Sequence, residues 1–117
     1  MSYVDGFLLA VPTANRDTYK SFAQTFASYF KELGAINTVE CWGDDIPAGE
    51  ITSFAKAVKC KDNETVVFSW TVWPSKQVRD AAWGKMTKDP RFDPEINPMP
   101  FDGKRMIYGG FAPLFGV

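Results

Sequence analysis

Three charged residues, Asp5, Glu40 and Arg105, lie inside segments that otherwise read as apolar strands. A carboxylate beside apolar rings loses hydration and its pKa rises, which suits proton abstraction. An arginine nearby would hold an anionic or enol oxygen. The three are therefore the candidate catalytic set, and an ion-pair network that fixes the register of two subunits is the structural alternative. Tyr3, Trp42 and Trp73 could wall a pocket for a flat ligand, or pack in an interface. Cys41 has no histidine to activate it, because the chain has none. That absence excludes a Ser-His-Asp triad, a Cys-His dyad and any histidine metal site. Asp44, Asp45 and Glu50 match no calcium-loop spacing and read as a solvated loop, so no metal or other cofactor is expected. The run GKRMIYGG has neither a Walker nor a dinucleotide spacing.

These residues need elements to carry them. YVDGFLLAV, residues 3–11, is short, apolar and stopped by Pro12, which predicts a strand. In the following segment Tyr19, Phe22, Phe26, Tyr29, Phe30 and Leu33 recur at three- and four-residue spacing. This predicts an amphipathic helix, with Asn15 as its cap and Gly34 at its end. AINTVECWG reads as a second strand. SFAKAVKCK and ETVVFSWTVW, joined by a turn at Asp62-Asn63, read as a hairpin. Ser75 caps a second helix that Asp89-Pro90 ends. A proline-rich surface stretch leads to the last strand, RMIYGGFAPLF, in which Gly109 and Gly110 suggest a bulge or a close backbone approach.

With the second strand taken as broken by an excursion, the order βαββαβ predicts an α+β, ferredoxin-like fold, with both helices on one face of an antiparallel sheet. Strand alternation is read with Val66, Phe68, Trp70 and Val72 towards the helices. The other face then holds Tyr3, Asp5, Phe7, Leu9, Glu40, Trp42, Trp73, Arg105 and Phe111, too apolar for water and too charged for a plain core. Two copies packed sheet to sheet would bury the apolar groups and line a cavity with the charges, so a two-fold homodimer with a small-molecule ligand is expected. Phe111 and Trp73 are the expected interface anchors.

Composition sets the frame. The chain has 117 residues, expected to form a single domain over 1–117. Aromatics reach 15%, more than one small core needs, which favours self-association. With a net charge of −1, neither nucleic acid nor an anionic membrane is an expected partner. No apolar run is long enough for a membrane span, and MSYVDGFLLAVP lacks a basic leader. Cys41 and Cys60 read as reduced thiols of a cytoplasmic protein.

The stretches MSYVDGFLLAVP, ETVVFSWTVWPSK and MPFDGKRMIYGGF together resemble a family of small, uncharacterised, mostly bacterial proteins, a domain of unknown function in the dimeric α/β-barrel superfamily. The resemblance spans nearly the whole chain. It implies a ferredoxin-like protomer whose sheet pairs with that of a second copy. The superfamily includes cofactor-independent monooxygenases, haem-degrading enzymes, lactone-isomerising enzymes and ligand-binding modules, so the fold does not fix the activity. Haem-type members generally use a histidine ligand, which this chain lacks. Two functions follow as expectations: a protein that binds or transforms a small molecule without a metal, or a non-catalytic structural or regulatory homodimer with a filled interface.

Overall fold

A computed structural model describes residues 2–116. Strand β1, Tyr3–Pro12, ends where proline has no N–H to continue the ladder. A 3-10 turn, Thr13–Asn15, leads into helix α1, Arg16–Glu32. Asn15 stands at the cap position, but its amide donates to the Pro100 carbonyl at 3.3 Å and caps nothing. Gly34 does end the helix as expected, at φ +111°, a conformation few other residues tolerate.

Strand β2, Asn37–Trp42, is followed by a polar loop and then by a short helix α2, Phe54–Ala57. The expected hairpin partner SFAKAVKCK is therefore not a strand. The Ser53 side chain accepts from the Lys56 N–H at 3.0 Å and turns the segment into a helix. It is β2 itself that pairs with β3, Glu64–Trp73, with Thr38 opposite Thr71 and Glu40 opposite Ser69. Helix α3, Lys76–Met86, starts from Ser75, which accepts from the Val78 N–H as expected. The last strand, β4, is only Ile107–Phe111, because Gly103–Arg105 forms a 3-10 turn.

The strands form one antiparallel sheet in the order β2-β3-β1-β4, the α+β, ferredoxin-like arrangement that the element order predicts. Pairing between β1 and β4 runs unbroken from Leu8–Ile107 to Val4–Phe111, so Gly109 and Gly110 make no bulge. At Gly110 the close approach is of side chains: a Cβ there would sit 2.5 Å from the Tyr3 hydroxyl and 2.9 Å from Arg79 Nη2.

On β1, β2 and β3 the faces are the reverse of the expected assignment, whereas Phe111 of β4 lies away from the helices as expected. Leu9, Val11 and Val67 pack with Tyr19 and Ala23 of α1, joined by Phe7, Phe22, Trp42, Phe101 and Met106. The helix side thus holds Asp5, Phe7, Leu9, Glu40, Trp42, Ser69, Thr71 and Trp73. The opposite face holds Val4, Gly6, Leu8, Ala10, Val66, Phe68, Trp70, Val72, Ile107 and Phe111. Both sets are apolar enough for a core, so alternation alone could not rank them. The polar members of the helix side are accommodated by partners on the helices and on neighbouring strands. At one end of the opposite face, Val58 beside α2 packs on Ala10 and Val66. The rest of that face is bare. It forms a shallow concavity of about 570 Å³ around Val4, Phe68, Trp70 and Phe111. There Gly6 stands opposite Gly109, and the Phe111 ring lies over both: a Cβ would sit 3.4 Å from Phe111 Cε1 at Gly6 and 3.7 Å from it at Gly109.

Candidate functional site

The candidate catalytic residues occupy three separate settings. Asp5 is 1% exposed, beneath α3. Its carboxylate accepts from Arg79 Nη2 at 2.9 Å and Nε at 3.1 Å, from Trp73 Nε1 at 2.9 Å and from Trp83 Nε1 at 3.1 Å. Arg79 lies over the rings of Tyr3 and Trp83, at 5.3 and 4.9 Å, and also meets Asp80. The carboxylates around it raise its pKa, so it stays charged. Each donor around Asp5 is matched, which makes the cluster a latch between β1, β3 and α3. Tyr3 and Trp73, expected as ligand walls, belong to this latch, and Trp73 is itself 1% exposed.

Arg105 does not point into a space between sheets. It forks onto Glu64 at 2.7 and 2.6 Å and reaches Asp102 at 2.9 Å and the Lys59 carbonyl at 2.8 Å. Hydrogen bonding from Arg105 is the main reason that the Glu64 carboxyl is pulled down to about 2. This fork ties the turn before β4 to the start of β3.

Glu40 has a different environment. It sits on the outer strand β2, across from Ser69, and accepts from the Tyr19 hydroxyl at 2.5 Å. Glu40 keeps solvent access, yet enough protein surrounds its carboxylate that desolvation raises its pKa. Hydrogen bonds from Tyr19 and Ser69 oppose that rise. Burial, followed by the charge of Glu40, pushes the Tyr19 phenol far up, so Tyr19 remains a proton donor. The pair stands in the common wall of two cavities. The outer one, about 500 Å³, is a groove between α1 and β2 that also touches Arg16, Lys20 and Trp42. The inner one, about 160 Å³, runs under α1 among Phe22, Phe26, Phe101 and Met106. Helical periodicity brings Arg16, Lys20, Ala23 and Ala27 to one side of α1, facing Thr38, Glu40 and Trp42 of the strand.

Of the six candidates, then, Glu40 and Trp42 share a cavity wall, Asp5, Tyr3 and Trp73 share the latch, and Arg105 stands apart. Tyr19 was absent from the candidates, because its place in an aromatic helical stripe reads as core. The available signal was that Tyr19 is one of only two hydroxyl-bearing rings in that stripe. Cys41 faces Phe68 rather than the helices, and it and Cys60 are free thiols. Among the described residues no group of histidine, cysteine or acidic side chains could hold a metal ion. No described helix is long and apolar enough to cross a membrane.

Residues 2–103 match the family described as "Protein of unknown function (DUF1428)", and the chain belongs to that family. It is 57% identical over 114 residues to the uncharacterized protein YbaA of Escherichia coli K12, covering 97% of each chain. The same identity and coverage hold for YbaA of Shigella flexneri. Among solved structures it resembles SnoaB, a cofactor-independent oxygenase from Streptomyces nogalater, crystallised as the N63A mutant. The TM-score is 0.60, with 18% identity and with 99% of this chain and 96% of that chain covered, a likeness of fold. The chain thus shares its overall fold with that oxygenase.

Proposed function

We propose that this DUF1428 protein is a cytoplasmic homodimer that binds and transforms a small molecule in the helix-side cavities, with Glu40 as proton acceptor and Tyr19 as donor. The observation that carries this reading is the 2.5 Å Tyr19–Glu40 hydrogen bond, set in the wall shared by a polar groove and an apolar chamber. Such a site suits a ligand with an apolar body and a polar, weakly acidic group. The resemblance in fold to a cofactor-independent oxygenase is compatible with chemistry of this kind.

A cavity between paired sheets is a poorer place for the reaction. The bare face has Val4, Phe68, Trp70, Val72, Ile107 and Phe111 and no carboxylate or cation, so it suits burial against a second copy. Asp5 and Arg105 serve the fold in this reading, and Trp42 is the aromatic wall of the site. The same apolar face favours the second reading, a homodimer with no ligand.

Native mass spectrometry of the purified protein tests both. The expected result is twice the protomer mass, with a bound small molecule that Glu40→Gln or Ala27→Trp diminishes. A protomer mass at micromolar concentration would overturn the pairing. A dimer that takes up nothing from a metabolite extract would leave the second reading.

A further inference from the structure

We infer that the groove between α1 and β2 takes a small organic monoanion, a carboxylate on a flat apolar body, gripped by Arg16 and Lys20. This rests on the reading of that cavity as a ligand site and names the ligand's class. The chain has four arginines. Three are neutralised twice over: Arg79 by Asp5 and Asp80, Arg91 by Glu32 and Asp89, Arg105 by Glu64 and Asp102. Arg16 alone has no ion pair among the described residues, and Lys20, one helical turn later, has none either. Both line the groove.

Arg16 is nonetheless held in place. Its guanidinium lies over the Trp42 ring at 5.8 Å, and both side chains line the groove. The N–H fork of a guanidinium matches the two oxygens of a carboxylate, and Lys20 adds a point charge beside it. The ring of Trp42 offers a flat wall to the body of the ligand. Beyond it, Ala23 and Ala27 keep α1 slim, so the body can lie along the helix past Tyr19 and Glu40.

The acids in the groove limit the charge it accepts. Asp17 and Glu40 line it together with the two cations. Two cations beside two carboxylates favour one negative charge over two, so a carboxylate is preferred to a phosphate dianion.

Isothermal titration of the whole protein with 2-naphthoate, 2-naphthamide and 2-naphthyl phosphate tests the assignment. The expected result is naphthoate binding at least tenfold more tightly than the amide and more tightly than the phosphate. Arg16→Gln and Lys20→Gln should each remove most of that preference, with circular dichroism unchanged. Lys85→Gln, on α3 away from the groove, should leave it intact. Equal binding of acid and amide, both abolished by Ala27→Trp, would overturn the anion site and spare the cavity. Tighter binding of the phosphate would overturn the monoanion class. Failure of all three probes to bind a folded protein would overturn the anion site and the cavity reading together.

Discussion

Removing the Asp5 carboxylate should be among the most damaging single changes in this chain. Asp5→Ala leaves the indole N–H of Trp73 without an acceptor in a fully buried place. It also leaves the Arg79 guanidinium with only the exposed Asp80, although the Arg79 side chain is 19% exposed. A buried donor without a partner costs about 1–3 kcal/mol, and breaking a buried ion pair about 3–5 kcal/mol. Water reaching Arg79 and Trp83 offsets part of this, so the expected loss is about 3–4 kcal/mol. Asp5→Asn keeps the shape and one acceptor oxygen but not the charge, and should lose roughly 2 kcal/mol. The assay is urea unfolding at fixed protein concentration, read as a midpoint shift at constant slope. Arg79→Ala and the double variant complete a cycle, with an expected coupling of about 2 kcal/mol. A loss below about 1 kcal/mol for Asp5→Ala, or additivity within about 0.5 kcal/mol, would refute the latch.

Three further outcomes are expected. Carboxyl NMR should find Glu40 titrating above its usual 4.5, and Tyr19→Phe should raise it further by removing a bond that favours the ionised form. Because the folded carboxyl binds its proton more tightly, Glu40 weakens the fold as pH rises above 4.5, a slope that Glu40→Gln should remove. Glu64 has the opposite sign: its folded pKa of about 2 lies below the usual 4.5, so its stabilisation is complete above 4.5 and fades as pH falls towards 2. Glu64→Gln should therefore be less stable at pH 7 by roughly 1–2 kcal/mol and converge with the parent near pH 2 in pH-dependent unfolding. Phe111→Ala should weaken the dimer by more than about 1 kcal/mol in sedimentation equilibrium, whereas Trp73→Ala should destabilise the fold by about 3–5 kcal/mol in urea.

The layout of the fold was legible because its signals are local. The aromatic spacing in α1, the serine before α3 and the strand runs each depend on neighbours a few residues away. The faces of the sheet depend on partners far along the chain. Asp5 is placed by Arg79 and Trp83, more than seventy residues later, and nothing near Asp5 shows which side they occupy. For the same reason the charges seemed to belong to one polar cluster, whereas Arg105 meets Glu64 and Glu40 meets Tyr19. The residues 53–61 mimicked a strand because Phe54, Ala55, Ala57 and Val58 fit either period over so short a run. Glu40 and Trp42 were recognised on the right strand, but their cavity depends on which side α1 lies.

Two copies meeting over the bare face would find no charge there to tell one orientation from another. Hydrophobic attraction is indifferent to angle, so many dockings would bury similar area. Relief is what remains to discriminate. The Phe111 ring, lying over Gly6 and Gly109 where the absence of a β-carbon lets it settle close to the sheet, gives this face a relief that a second copy can match in few poses. Two glycines that add nothing to the core would thus act as a topographic address, by which a subunit knows its own kind.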